Sequence, residues 1–247
     1  MAEGALNVMV MGETGVGKSS VVNLIAGGPL AEVSPDASVC TMVTTRYLAR
    51  TGSVSIHIWE VAGFNQPENT TAKDVFVTDV DLGPILSDRK AAVDLVLFCM
   101  RGKKLTKTTT RIFDLVKTMF WGDVPVILVI THLEMEKEDM ESWWVRNETY
   151  LTREGVVGTA HVCVTGLREK KWSQKSEQSR QTLLATLENH YLLRQNRAFE
   201  PFFLGYLRRM GNFNQKGRKL EKVLIKRYKL DQSTARRLAT SATAAKA

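Results

Sequence analysis

Apolar and polar residues form alternating blocks along the first 195 residues, and these blocks predict strands and helices in turn. Residues 54–61 alternate apolar and polar side chains, which is typical of a half-buried strand. Nearly continuous apolar runs, typical of strands buried on both faces, occupy residues 6–11, 91–100, 124–130 and 160–164. Helical patterns occupy residues 19–26, 106–120, 136–153 and 174–194. This order predicts an α/β fold of three layers, with helices on both faces of a mostly parallel central sheet.

The pattern changes after residue 195. Pro201 and three glycines break the segment of residues 196–217, so we predict a hinge or linker there. Leucines then recur at helical spacing among lysines up to Leu238, and small residues follow to the end of the chain. We therefore expect three regions: a main domain of residues 1–195, a linker of residues 196–217, and a basic helical extension of residues 218–247 with a disordered end.

The charge of the chain is concentrated in this extension. The 247 residues carry a formal net charge of +8, and 44% of them are hydrophobic, as in a globular protein. Residues 208–247 contain 12 Lys and Arg but 2 Asp and Glu, whereas the other residues contain 22 and 24. If the positive charge serves to bind an anionic partner, the segment that would bind it is the extension alone. Three alternatives stay open: a docked helix with solvated lysines, a peripheral contact with an anionic membrane, and, less favoured, nucleic acid.

The cysteines and the start of the chain indicate a cytoplasmic location. Cys40, Cys99 and Cys163 are odd in number and far apart, so they suggest neither a disulfide framework nor a zinc site. The first residues contain no basic segment followed by an apolar one, as a secretory signal would. We expect a reducing, cytoplasmic setting, with the basic extension as the segment that could reach a membrane.

A glycine-rich loop joins the first predicted strand to the first predicted helix. Its sequence, Gly-Glu-Thr-Gly-Val-Gly-Lys-Ser, matches the phosphate-loop pattern G-x-x-x-x-G-K-[ST] in the strand–loop–helix context that the mechanism requires. Glycines let backbone N–H groups surround phosphates, while Lys18 reaches the β- and γ-phosphates and Ser19 ligates Mg²⁺. The predicted nucleotide-binding residues here are Gly12, Glu13, Thr14, Gly15, Val16, Gly17, Lys18, Ser19 and Ser20.

Two later strand ends indicate guanine. The strand of residues 124–130 runs into Thr131, His132 and Glu134, at the position where GTPases carry N/T-K-x-D. The Glu134 carboxylate can accept hydrogen bonds from guanine N1 and N2, a donor pair that adenine lacks, and the His132 ring can stack on the base. Thr165 and Gly166 follow the next strand and could supply a backbone N–H to the guanine carbonyl.

The strand of residues 54–61 ends in Glu-Val-Ala-Gly, at the position of the GTPase motif D-x-x-G. Glu60 is predicted to hold Mg²⁺ through a water, although its side chain is one methylene longer than aspartate. Thr41, Thr44 and Thr45 are candidates for the switch threonine, and the spacing favours Thr41. The predicted metal ligands are thus Ser19, Thr41 and Glu60, and the predicted catalytic residues are Lys18, Thr41 and Gly63.

The residue after Gly63 argues for slow hydrolysis. Phe64 stands where Ras-like proteins place the glutamine that orients the attacking water, and Gln66 comes two residues later. A group from a second molecule could assist, as an arginine finger does. Arg101 and Lys104 are the candidates for that role if two domains meet; the alternative is that they are solvated or contact the edge of the ligand in their own site.

The sequence resembles a known family in four segments: Gly12–Gly27, Cys40–Thr41, Val93–Gly102 and Thr131–His132. Over residues 6–195 it is similar to the septin-related GTPases of the immunity-associated (AIG-type) and chloroplast-import (Toc-type) group, and most to their fungal G-domain relatives. The segment of residues 93–106 resembles an extra box of that group. The resemblance implies a G domain that binds GTP and Mg²⁺, hydrolyses GTP slowly, and often associates as a homodimer through its G domains.

We therefore expect a guanine-nucleotide-binding GTPase that depends on Mg²⁺ and acts as a switch or assembly module. One alternative is a nucleotide-dependent interaction module with little or no hydrolysis. A third reading, an ATPase or small-molecule kinase, predicts adenine preference or phosphate transfer to an acceptor.

Overall fold

The computed structural model describes residues 4–33, 43–52, 54–63, 82–88, 90–120, 122–193, 195, 197–209, 218–228 and 230–244. The strands are β1 (Leu6–Gly12), β2 (Thr45–Thr51), β3 (Val54–Glu60), β4 (Ala92–Val93), β5 (Leu95–Arg101), β6 (Val126–Thr131), β7 (Ala160–Cys163) and β8 (Arg197–Ala198). The helices are α1 (Lys18–Ala26), α2 (Gly83–Ser87), α3 (Lys107–Phe120), α4 (Glu141–Arg153), α5 (Ser173–Tyr191), α6 (Phe199–Arg209), α7 (Arg218–Tyr228) and α8 (Gln232–Ala244). A short 3₁₀ helix spans Lys170–Trp172.

Six strands form the central sheet in the order β2-β3-β1-β5-β6-β7, and β4 pairs separately with β8. The neighbours from β3 to β7 are parallel, whereas β2 is antiparallel to β3 at the edge. The carboxyl ends of the parallel strands therefore lie along one border of the sheet, where ligands of such folds bind. The described residues that directly follow β1, β3, β5, β6 and β7 lie along this border.

Alternate side chains of each strand enter different halves of the core. Met9 and Met11 of β1 pack in the cluster that contains α3, α4 and the C-terminal helices, whereas Val8 and Val10 pack with α1 and α5. Strands that are buried on both faces read as apolar runs, and this is why the sequence predicted them. The predicted α/β fold with a mostly parallel sheet is confirmed.

The edge strand β2 was not predicted from the sequence. Of its seven residues only Ala49 is buried, and Arg46, Leu48 and Arg50 are exposed. An edge strand with so little buried surface gives a weak apolar signal, and backbone pairing with β3 holds it in place. The predicted helix over 174–194 begins at Ser173 and ends at Tyr191.

The segment predicted as a linker contains a buried helix. Phe199, Phe203 and Tyr206 of α6 are at most 1% exposed and belong to the larger core cluster. Pro201 lies in the first turn of α6, where a missing N–H breaks no helical hydrogen bond, so it does not mark a hinge here. The glycines at 211 and 217 lie outside the described residues.

The C-terminal extension is docked on the domain. Leu220 and Leu224 of α7 and Leu238 of α8 are at most 1% exposed and belong to the same cluster as α6. Arg237 of α8 pairs with Glu200 of α6. The single helix predicted up to residue 238 is thus two helices, and α8 continues to Ala244, where the sequence predicted disorder. None of the helices in the described ranges is both long and apolar enough to cross a membrane.

Candidate nucleotide-binding site

The loop after β1 has the backbone conformation that its glycines allow. Gly12, Gly15 and Gly17 have φ angles of 148°, 74° and 91°, which L side chains rarely adopt. A Cβ atom at Gly12 would also overlap the carbonyl oxygen of Cys99 in β5. The loop therefore lies tightly against the neighbouring strand, and α1 begins directly after it at Lys18. A glycine-rich loop that leads directly into the N-terminus of a helix is suited to binding phosphate.

The side chain of Lys18 folds back into this loop. Its Nζ donates to the carbonyl oxygen of Glu13 at 3.0 Å and to that of Gly12 at 3.3 Å, and the residue is 5% exposed. A largely buried ammonium group is stabilised by a nearby anion, because burial removes most of its hydration. Lys18 is thus held where a phosphate bound by the loop would meet it.

Ser19 and Glu60 come together beside Lys18. The Ser19 hydroxyl donates to Glu60 Oε1 at 2.6 Å, and Glu60, the last residue of β3, is 1% exposed. A hydroxyl and a carboxylate are oxygen ligands of the kind that Mg²⁺ prefers, and Mg²⁺ commonly takes one or two protein ligands beside substrate phosphates. The residues present therefore fit a magnesium ion. This is the arrangement expected if the longer Glu60 side chain replaces aspartate.

The segment after β3 presses against the phosphate loop. A Cβ atom at Gly63 would lie 2.7 Å from Thr14 Cα and 3.0 Å from Lys18 Nζ, so only glycine fits without a shift. The buried hydroxyl of Thr44 accepts the N–H of Ala62 at 3.1 Å and so anchors this segment. Gly63 is therefore placed beside the loop residues that would contact the terminal phosphate.

The three threonines considered for the switch have different places. Thr44 holds the Ala62 backbone, and the hydroxyl of Thr45 donates to the carbonyl of Val43 at 3.2 Å. Thr41 lies outside the described residues, so its role as the switch threonine stays a prediction. Phe64 and Gln66 lie outside them too.

The end of β6 is joined to the phosphate loop by Thr131. Its buried hydroxyl lies 2.7 Å from the carbonyl oxygen of Val16 and 3.1 Å from that of Met100. The next residue, His132, has a φ of 61° and places Nδ1 3.0 Å from the same hydroxyl. Because the single hydroxyl hydrogen of Thr131 is directed at carbonyls, His132 Nδ1 is the donor of this bond, which leaves the lone pair on Nε2.

The charge state of His132 follows from its surroundings. Partial desolvation and the nearby Arg101 guanidinium lower the pKa of His132, and Lys103 adds to this effect while Glu134 opposes it. The imidazole is therefore neutral near pH 7. A neutral ring is suited to stacking on a base.

One pocket contains most of the predicted base-binding residues. Its lining consists of Gly17, Ser20, Val21, Leu24, Thr131, His132, Glu134, Val164, Gly166 and Leu167. The Glu134 carboxylate accepts the Thr165 hydroxyl at 3.0 Å, and Lys175 of α5 donates to the Glu134 carbonyl at 3.0 Å. These two contacts hold the carboxylate at the pocket.

One detail of the predicted base contacts is corrected. The N–H of Thr165 donates to Ser179 Oγ at 2.9 Å, so it is directed into α5 and away from the pocket. The N–H of Gly166 therefore stands as the candidate for the guanine carbonyl. A Cβ atom at Gly166 would lie 2.5 Å from that of Ser20, which explains why glycine occupies this close contact with α1.

The loop from β5 to α3 carries contacts that the sequence reasoning missed. Arg101 Nε donates to the carbonyl of Gly15 in its own phosphate loop at 3.1 Å. Thr109 and Thr106 donate their hydroxyls to Glu13 Oε1 at 2.5 and 3.1 Å. Thr106 precedes the helix as a capping residue, which was the available sequence signal, but nothing in the sequence indicates that it faces Glu13.

The fold and the phosphate loop together define this chain as a P-loop GTPase G domain. A family model described as 50S ribosome-binding GTPase matches residues 7–132, just over half of the chain, so the chain belongs to this family. Among curated proteins, none matches the chain.

Solved structures with the same fold include plant and bacterial GTPases. Toc33 from Arabidopsis thaliana in complex with GDP and Mg²⁺ is 18% identical, with a TM-score of 0.55, over 78% of this chain and 86% of that one. A second structure comes from work on the chloroplast translocon components atToc33 and psToc159, whose dimerization is described as important for their GTPase activity. It is 18% identical, with a TM-score of 0.56, over 75% of this chain and 83% of that one. Era with MgGDPNP and nucleotides 1506–1542 of 16S ribosomal RNA is 15% identical, with a TM-score of 0.53, over 76% and 57%. At these identities the likeness shows the fold alone.

Proposed function

We propose that this GTPase domain requires Mg²⁺, hydrolyses GTP slowly, and acts as a nucleotide-dependent switch or assembly module. The observation that carries the proposal is the contact between the Ser19 hydroxyl and the Glu60 carboxylate, 2.6 Å apart and beside Lys18. This contact brings two oxygen ligands together at Ser19, which follows the buried Lys18 in the chain where the phosphate loop ends and α1 begins. A closer relationship to septin-related, AIG-type and fungal GTPases is part of this proposal, and so is a cytoplasmic location.

The residues of the chain divide the work of binding. Lys18 and the loop amides neutralise phosphate charge, and Ser19 with Glu60 would hold Mg²⁺, which supplies positive charge to the β- and γ-phosphate oxygens when bound. Glu134 accepts the N1 and N2 donors of guanine. Phe64 follows Gly63 in the sequence, at the position where Ras-like proteins place the water-orienting glutamine, and its side chain has no group that could orient water, which supports slow hydrolysis.

Calorimetry with GDP, GTP and ATP, each with Mg²⁺ or with EDTA, tests the proposal. We expect tight binding of both guanine nucleotides, weak binding of ATP, and a loss of GTP affinity in EDTA. Ser19→Ala should lose most of the difference between Mg²⁺ and EDTA, and Lys18→Ala should abolish binding. Equal affinity for ATP would remove the base assignment, and equal affinity in EDTA would remove the magnesium site.

A second candidate is an interaction module that binds GTP but turns it over too slowly to matter. It is favoured by the same lack of a water-orienting side chain at position 64 of the sequence. Multiple-turnover phosphate release separates the two functions. A rate that rises with protein concentration would support catalysis assisted by a homodimer, and no turnover above the background rate would support the module.

A peripheral membrane contact is a further proposal for α7. Its leucines are buried, while Lys219, Lys222 and Lys226 are exposed on the other side. A lysine stripe of this kind can be attracted to anionic lipid. Sedimentation with vesicles that contain phosphatidylserine should depend on these lysines and weaken with salt, whereas equal sedimentation of a triple alanine variant would contradict the contact.

A further inference from the structure

The segment from the end of β5 to the first turn of α3 contacts the phosphate loop at two separate points. At one point Arg101 Nε donates to the carbonyl of Gly15 at 3.1 Å. At the other, Glu13 Oε1 accepts the hydroxyls of Thr109 at 2.5 Å and Thr106 at 3.1 Å. Both contacts join residues that are more than 80 positions apart in the chain. They engage Glu13 and Gly15, which stand at x positions of the motif G-x-x-x-x-G-K-[ST], and not its fixed glycines or its lysine.

The second contact is built into the helix start. Thr106 accepts the backbone N–H of Thr109 at 3.0 Å, so its own hydroxyl hydrogen is available to Glu13. Thr109 is buried, and its hydroxyl donates to the same carboxylate oxygen. Two hydroxyls on one carboxylate oxygen form a charge-assisted contact that is stronger than a neutral one. The position of Glu13 is therefore determined by α3.

The loop between these contacts needs such support. Gly15 is exposed and has a φ of 74°, and a Cβ atom built on it would meet nothing within 4 Å, so the space beside this residue is open. A glycine-rich backbone without packing loses conformational entropy when it closes on phosphate. Contacts that restrain the loop in advance reduce that loss.

We propose that Arg101 and Thr109 form a two-point clasp that holds the phosphate loop in its nucleotide-binding conformation. Both are positioning residues, because they act through Gly15 and Glu13. The proposal rests on the proposed nucleotide binding. It also assigns Arg101 to its own loop, in place of the role in a second molecule that the sequence suggested.

The clasp and a finger in a second molecule have different kinetic consequences. The loop surrounds the phosphates shared by GDP and GTP, so loss of the clasp should weaken both nucleotides by the same factor, mainly through faster dissociation. Loss of a finger should leave affinity unchanged and lower the hydrolysis rate in a way that depends on protein concentration. Nucleotide affinity and single-turnover hydrolysis, measured together, therefore separate the two roles.

The experiment uses two pairs of substitutions in the full chain, each with a matched control. Thr109→Val removes the hydroxyl and keeps the shape, Thr109→Ser restores a hydroxyl, and Thr110→Val makes the same change one residue along. Arg101→Ala removes the donor, Arg101→Lys restores a positive donor, and Lys107→Ala removes one exposed charge nearby. Dissociation constants and dissociation rates are measured with fluorescent GDP and a GTP analogue. Thermal unfolding of each variant shows whether the domain is intact.

We expect Thr109→Val to raise both dissociation constants about 10-fold, and Arg101→Ala to raise them about 3- to 10-fold, because exposed hydrogen bonds contribute less. The serine and lysine variants should recover most of the affinity, and both controls should stay within about 2-fold of the wild type. Unchanged affinity in both Thr109→Val and Arg101→Ala would overturn the clasp, as would failure of the conservative variants to recover it. A wild type that binds neither nucleotide would overturn the proposed function itself.

Discussion

The carboxylate of Glu134 provides the sharpest test of base recognition. It lies in the pocket with His132 and Gly166, and the Thr165 hydroxyl holds one of its oxygens at 3.0 Å. Glu134→Gln keeps the size of the side chain and one acceptor oxygen, but it removes the charge and places an NH₂ group where guanine also has donors. The substitution therefore tests electrostatics and hydrogen bonding with little change in packing.

The expected magnitude follows from the number of bonds lost. A hydrogen bond to a charged group contributes about 1.5–3 kcal/mol. Loss of one such bond to guanine N1 or N2 weakens binding about 10- to 150-fold, and Gln can replace it only in part. We expect the Kd for GDP to rise about 100-fold in Glu134→Gln. Glu138→Gln, an exposed glutamate nearby, is the matched control and should change the Kd less than about 2-fold.

Inosine diphosphate makes the assay specific to the contact, because it lacks the N2 amino group of guanine. Wild-type protein should bind it about 10-fold more weakly than GDP. Glu134→Gln should bind the two within about 3-fold of each other, because the acceptor that distinguishes them is gone. Competition against fluorescent GDP measures all four constants. An unchanged ratio of GDP to inosine diphosphate affinity in the variant would refute the assignment of Glu134 to the base.

Three further predictions follow from the described contacts. Gly63→Ala would force a methyl group to within 2.7 Å of Thr14 Cα, and the resulting shift of about 1 Å should lower single-turnover GTP hydrolysis about 100-fold; a rate within 3-fold of wild type would mean that this close approach does not matter. Leu224→Ala should lower the free energy of urea unfolding by about 2–5 kcal/mol, because Leu224 is fully buried. Ile225→Ala is the control and should lower it by less than about 1 kcal/mol, because Ile225 is 37% exposed. Equal effects of the two substitutions would place α7 outside the core. Partial desolvation, reinforced by a nearby cation, lowers the pKa of His132, so the unfolded chain binds more protons and stability falls as the pH drops below about 6.5. His132→Gln should reduce that fall between pH 7.5 and 5.5, and an unchanged pH dependence would contradict the shift.

The strands that were easiest to predict are those buried on both faces. Residues 95–100 and 126–130 are apolar because each strand has a neighbouring strand on both sides and helices above and below. The edge strand β2 was missed because its stability comes from backbone pairing, which has no side-chain signature. The helix α6 was missed for a related reason, since Pro201 has a different meaning in a first turn than in a helix interior.

The candidate site also has parts that the sequence predicted and parts that depend on the tertiary structure. The phosphate loop is local, so its eight residues predict its position and its chemistry without any knowledge of the fold. The base pocket depends on residues from α1, from the end of β6 and from the loops after β6 and β7, and their convergence could be expected only because parallel strands end at one border of the sheet. The direction of the Thr165 N–H toward Ser179 depends on the packing of α5, so the sequence could not indicate it.

The sequence by itself determined the class of this protein, because the phosphate loop and the strand-end carboxylates are short motifs whose spacing encodes their chemistry. Only the tertiary structure decided whether the basic extension packs on the domain and which residue Arg101 contacts. The charge of residues 208–247 left a docked helix, a membrane contact and nucleic acid open as alternatives, and the leucines that α7 and α8 bury in the core agree with the docked helix. Likewise, the sequence left open whether Arg101 contacts a second molecule, and in the structure it donates to Gly15 of the same chain. The physical reason is that charge and helical spacing along a chain report which side chains can meet water or an anion, whereas packing across 80 or more residues decides which side chains meet each other.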